Sequence, residues 1–139
     1  HAGWNALANA NVKRSKTRGG VSYPIIIMGH SLGANASAKM ATYLGEKGIR
    51  VSYVVAFDPT QQNSVGRNVS RVTNYYVGGG DGEGPYSLFR RGSGFRGRLE
   101  NVNLGRDPKY QVHHFNIEKN TQLQSRVVNT AYSLPRRLR

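Results

Sequence analysis

The chain has 139 residues, enough for one domain with a real core, although 37% hydrophobic residues is on the low side for a globular chain. It carries 20 Lys and Arg against 7 Asp and Glu, a formal net charge of +13, and no cysteine. This composition excludes a disulfide scaffold, a zinc–thiolate site and a cysteine nucleophile, and no apolar run reaches membrane-spanning length. The positive field attracts polyanions, whether nucleic acid or an acidic membrane surface, unless it serves solubility alone. The chain opens on His1 with small and polar residues and no signal-peptide core. It reads as a single domain over 1–139 whose N-terminal part is incomplete.

In chain order, Trp4, Leu7, Ala8 and Val12 have the spacing of one side of a modest helix. The basic run 13–18 ends in Gly19-Gly20 and is expected to be solvated surface. Tyr23-Pro24 then leads into an apolar strand, with proline at its entrance where a missing N–H is tolerated. After Gly29-His30-Ser31-Leu32-Gly33 comes a helix carrying Ala38, Met40, Ala41 and Leu44, expected to end near Gly45 or Gly48. The β-branched and aromatic stretch 49–57 is a strand closed by Asp58-Pro59-Thr60. A third strand over 70–77 runs into the glycine-rich stretch 78–85. That stretch lacks the lysine and helix of a phosphate-binding loop and is expected to be an ordinary loop. The arginine- and glycine-rich stretch 90–98 is expected to be a surface loop, followed by a short strand over 99–104. Asn120-Thr121 can cap a last helix with Leu123, Val127, Ala131 and Leu134 on one face. The pattern predicts an α/β fold with four parallel strands near 24–29, 50–57, 70–77 and 99–104, in sequence order and flanked by helices. Asn35 and Asn68 each open an N-x-S triplet, which has meaning only in a secreted protein.

The chemistry concentrates at Ser31. A Gly-x-Ser-x-Gly between a buried strand and a helix makes a sharp turn that holds the serine in strained backbone geometry, with its hydroxyl above the sheet. The helix N-terminus directs unpaired N–H groups at the place where an oxyanion would form, and the amide of Leu32 is the expected first donor. A serine hydroxyl needs an imidazole to take its proton, and the imidazole needs a carboxylate to fix its tautomer. Of the four histidines, His30 lies inside the turn and His1 is terminal, which leaves His113 and His114. Asp58 and Asp81 each follow a predicted strand. Pro59 stiffens the turn after Asp58, whereas Asp81 is set among glycines, and a fixed carboxylate suits the task better. A metal at His113-His114 is not expected, because neighbouring residues of an extended chain point apart and no further ligands cluster there.

Gly29-His30-Ser31-Leu32-Gly33-Ala34 resembles the serine elbow of the α/β-hydrolases, in the lipase and thioesterase branch. The resemblance runs from about Tyr23 to Ile117 and is strongest from Ile25 to Thr60. It implies a nucleophile–acid–histidine order and a substrate that is a small-molecule or lipid ester or thioester, with no cofactor. It also implies His114 as the base, because the family often places an apolar or aromatic residue directly after that histidine, and Phe115 stands there. The Asp58-Pro59 pair resembles the pancreatic-type lipases, where Asp-Pro closes the same strand; many other members carry the acid one strand later, which would be Asp81. Only the second half of the family's domain is matched. The absent half would supply a neighbour for the first strand and, from its loop, a second oxyanion donor. Without it that strand is a long apolar edge open to pairing. The competing expectation is a catalytically impaired module of this fold that grips nucleic acid or another polyanion through its basic surface.

Overall fold

The computed structural model describes Asn9 and residues 24–77, 88–106 and 120–134. Strand β1 spans Ile26–His30, helix α1 Leu32–Glu46, β2 Tyr53–Phe57, β3 Asn63–Val65 and β4 Arg71–Tyr76. They are followed by β5 at Phe89–Arg91, β6 at Arg98–Asn103, a 3-10 turn at Leu104–Arg106 and helix α2 at Thr121–Ser133. Four strands form one sheet in the order β1-β2-β4-β6, and every neighbouring pair is parallel. This is the α/β arrangement expected from the sequence, with the strands in chain order. Strand β2 starts later than expected, since Val51 makes only a single bridge to Val69.

The middle of the sheet is buried on both faces, the usual condition of a parallel sheet. All five residues of β2 are buried, and its side chains alternate between two cores. On one face Val54 and Ala56 join Ile25, Ile27 and Val72 under Ala34, Ala38, Ala41 and Leu44 of α1. On the other, Tyr53, Val55, Phe57 and Tyr75 pack with Leu104 and with Leu123 and Val127 of α2. Each fully buried aliphatic or aromatic side chain contributes about 1.5–3 kcal/mol. The alanines of α1 let it lie close to the sheet. Its C-terminus closes at Gly48, where φ is +74°. The Gly48 N–H donates to Gly45 O at 3.0 Å and the Ile49 N–H to Leu44 O at 2.9 Å, and the Ile49 and Leu44 side chains share the core. That double bond with its apolar clasp is the Schellman ending, and it needs the left-handed residue glycine supplies.

One expectation needs correction. Arg90 and Arg91 lie in β5 and not in a surface loop: β5 pairs in parallel with β3 as a separate two-stranded sheet. Phe89 and Val65 turn inward, at 1% and 2% exposure, while the arginines face out. The side chain of Asn101 on β6 fastens β5 by accepting from Phe89 N–H at 2.9 Å and donating to Phe89 O at 3.0 Å. Three-residue strands held by side-chain bonds give too short an alternation to read in sequence. The expected edge is present. Among the described residues β1 pairs only with β2, and Ile26 and Met28 are exposed at 37% and 60%. The helix expected over 1–13 lies outside the described residues except for Asn9, which is helical and accepts from Tyr43 Oη. The glycine-rich stretch 78–85 lies outside them too.

Candidate active site

Strand β1 ends at His30 and α1 begins at Leu32, so Ser31 alone makes the turn between them. Its φ is 58° and its ψ −120°, a combination L-residues avoid. Ser31 occupies the N-cap position of α1, and the ordinary reason for a serine there is a side-chain bond to the first helical turn. No such bond exists. Asn120 of α2 shows the contrast: extended backbone at φ −68° and ψ 120°, with its side chain accepting from Leu123 N–H at 3.1 Å. The turn is fixed from outside, since Ser31 N–H donates to Phe57 O at 2.9 Å. It is also fixed by crowding. A Cβ on Gly29 would stand 2.0 Å from Gly33 O and 2.5 Å from Ser37 Oγ, so only glycine lets strand and helix approach this closely. Leu32 is the first residue of α1, and its N–H is one of those with no acceptor inside the helix. Its side chain is 56% exposed.

Asp58 stands at the same end of the sheet, one residue past β2, beside Ser31 in the extended register of β1 and β2. It is 8% exposed. Its N–H donates to Tyr75 O at 2.7 Å, and its Oδ1 accepts from Val77 N–H at 3.2 Å. Its φ is +49°. Ser31 and Asp58 are the two residues other than glycine with positive φ among those described. Both thus sit where backbone strain is stored, at adjacent strand ends. The Phe57 and Tyr75 rings stack below them at 5.7 Å, and the Arg126 guanidinium lies 5.6 Å from the Tyr75 ring.

A polar network not read from the sequence braces the turn after Asp58. Asn35, buried in the first turn of α1, donates to Thr60 Oγ1 at 2.6 Å and accepts from Asn63 Nδ2 at 3.0 Å. Asn63 also donates to Gln61 O at 2.9 Å. The signal was present: asparagine is a poor helix former and is rarely buried there without partners. The bonds also remove Asn35 as a surface acceptor for sugar. Asn68 is likewise engaged, donating to Ala41 O at 2.9 Å and Ile49 O at 3.0 Å.

Asp81, His113 and His114 lie outside the described residues. The chain leaves β4 through Val77 and β6 through Leu104, both at the sheet end that carries Ser31 and Asp58. Among the described residues no group of three or more His, Asp or Glu comes together as a metal site. Comparison of the chain with family models, with curated proteins and with solved structures gives no match.

Proposed function

We propose that the protein is a serine hydrolase of the α/β-hydrolase type, acting on an ester or thioester. The observation that carries the reading is the backbone of Ser31: strained, held by glycine-tight packing, and not used as a helix cap. Ser31 Oγ attacks the acyl carbonyl while His114 takes its proton. The Leu32 N–H stabilises the negative oxygen of the tetrahedral intermediate. Collapse expels the alcohol or thiol, which takes the proton back from His114 and leaves an acyl-serine. Water, deprotonated by the same imidazole, then releases the acid and restores Ser31. Asp58 orients His114 and stabilises its cation. Its buried carboxylate, pinned by the Val77 N–H, supports its choice over Asp81.

A fluorophosphonate probe tests the reading. Ser31 is expected to be the residue labelled, and Ser31→Ala to abolish labelling. His114→Ala should lower turnover nearly as far as Ser31→Ala, and the double change should add little, because the triad acts as one unit. His113→Ala should cost far less. Labelling that survives Ser31→Ala would place the nucleophile elsewhere.

A further inference from the structure

A concave feature lies at the end of the sheet opposite Ser31, where the strands begin. It is a cleft of about 800 Å³ between the end of α1, the turn before β4 and the turn before β6. Arg50, Arg67 and Arg96 line it together with Asn68 and Ser70, and among the described residues no acidic or aromatic side chain does. Glycines let its walls close up. A Cβ on Gly45 would stand 2.6 Å from Asn68 Oδ1, one on Gly97 2.2 Å from Ser70 O, and one on Gly94, where φ is +78°, 3.2 Å from Arg67 Nε. Arg67 therefore lies against bare backbone. Arg50 Nη2 donates to Ser70 Oγ at 2.8 Å, which positions that guanidinium at the rim. Among the described residues no carboxylate pairs with these three arginines, and Glu100 is taken up by Arg98 at 3.0 Å and Arg71 at 3.8 Å. Three arginines along one cleft, with no described carboxylate paired to them, make a positive surface that attracts an anion.

We propose that this cleft binds a compact anion bearing several phosphate groups. Guanidinium forks match phosphate oxygens with paired, charge-assisted hydrogen bonds, and the Ser70 hydroxyl adds a neutral polar group at the wall. The lining argues for a compact ligand: a nucleic-acid strand stacks its bases on aromatic rings, and none of the described lining residues is aromatic. Two sources carry the required chemistry, a soluble polyphosphorylated molecule and a phosphorylated lipid headgroup. The proposal is independent of the reaction assigned to Ser31, which lies at the other end of the strands.

Calorimetry of the full chain with inositol hexakisphosphate, and flotation with phosphatidylcholine vesicles with and without a phosphoinositide, separate the two sources. The double change Arg67→Ala/Arg96→Ala should weaken whichever binding is seen by about tenfold or more, and Lys39→Ala/Arg90→Ala, with the same loss of charge elsewhere, by less than about twofold. On the unaltered protein, hexakisphosphate or the phosphoinositide vesicle should shield Arg67 and Arg96 from phenylglyoxal, a readout that needs no variant to fold. Equal weakening by both double changes would mean diffuse charge and overturn the site. So would absence of binding in both arms, or single-stranded oligonucleotides that bind more tightly than hexakisphosphate and tighten steadily with length.

Discussion

A serine at φ 58° and ψ −120° holds a conformation that costs about 1–3 kcal/mol, and the surrounding packing must supply that energy. Glycine takes up such a backbone freely, at the expense of about 0.4–1 kcal/mol of extra chain entropy in the unfolded state. Ser31→Gly should therefore be more stable than Ser31→Ala by about 1 kcal/mol, although both lose the hydroxyl. The urea midpoint at constant slope measures this, and the opposite order would show that the turn is not strained in solution. Asp58 behaves differently, because asparagine and aspartate tolerate positive φ better than other residues. Asp58→Asn keeps an oxygen for the Val77 N–H and should leave stability nearly unchanged. Asp58→Ala orphans that part-buried donor and should cost about 1 kcal/mol or more. If turnover is present, Asp58→Asn should still lower it severely, since the amide favours the wrong imidazole tautomer. A stable, fully active Asp58→Asn would move the acid to Asp81.

At the scale of elements, what could be read from the sequence follows from how local its cause is. The cap at Asn120, the glycine ending of α1 and the apolar runs of β1 and β2 each depend on neighbours within a few residues, and each lies where the residues put it. The pairing of β3 with β5 does not. It joins Asn63–Val65 to Phe89–Arg91, and Asn101 secures it from a third segment, so no local window contains its cause. In the Asn35–Thr60–Asn63 network the helical asparagine is a local signal, but its partners are not, because they stand on a turn 25 residues later. Strand β1 is a case in which sequence and structure agree on a liability. Ile26 and Met28 face the side that α2 covers over β2, yet remain 37% and 60% exposed. An apolar edge of this kind recruits other strands, and inserted charge suppresses that. Met28→Lys, or Ile26→Lys with it, should raise the concentration at which the protein stays monodisperse in light scattering. The melting temperature should move little, because neither side chain is buried. Aggregation unchanged by both substitutions would point to another surface.

At the scale of the whole molecule, the two ends of one sheet offer different chemistry. The strained serine and the pinned carboxylate stand where the parallel strands finish, and the three arginines of the cleft stand where they begin. From Val51 to Asp58, β2 and its flanks cover seven steps at about 3.3 Å each, so the two places are about 20 Å apart. That is beyond a Debye length of about 8 Å at physiological ionic strength, and the arginine cleft exerts little direct field on the serine. The net charge of +13 was legible from the first line of sequence, but its focus was not, because Arg50, Arg67 and Arg96 come from three separate turns. Salt should therefore divide the two proposed functions. Hexakisphosphate affinity should fall with added salt at a log–log slope of roughly two to three, about one counterion for each arginine engaged. Turnover of a neutral ester, or labelling of Ser31 by a neutral fluorophosphonate, should change by less than about twofold over the same range. A labelling rate that fell in step with anion affinity would mean that the ends are coupled or that the basic cleft belongs to the reaction. A rate indifferent to both salt and hexakisphosphate would leave the protein with two separate sites at opposite ends of its strands.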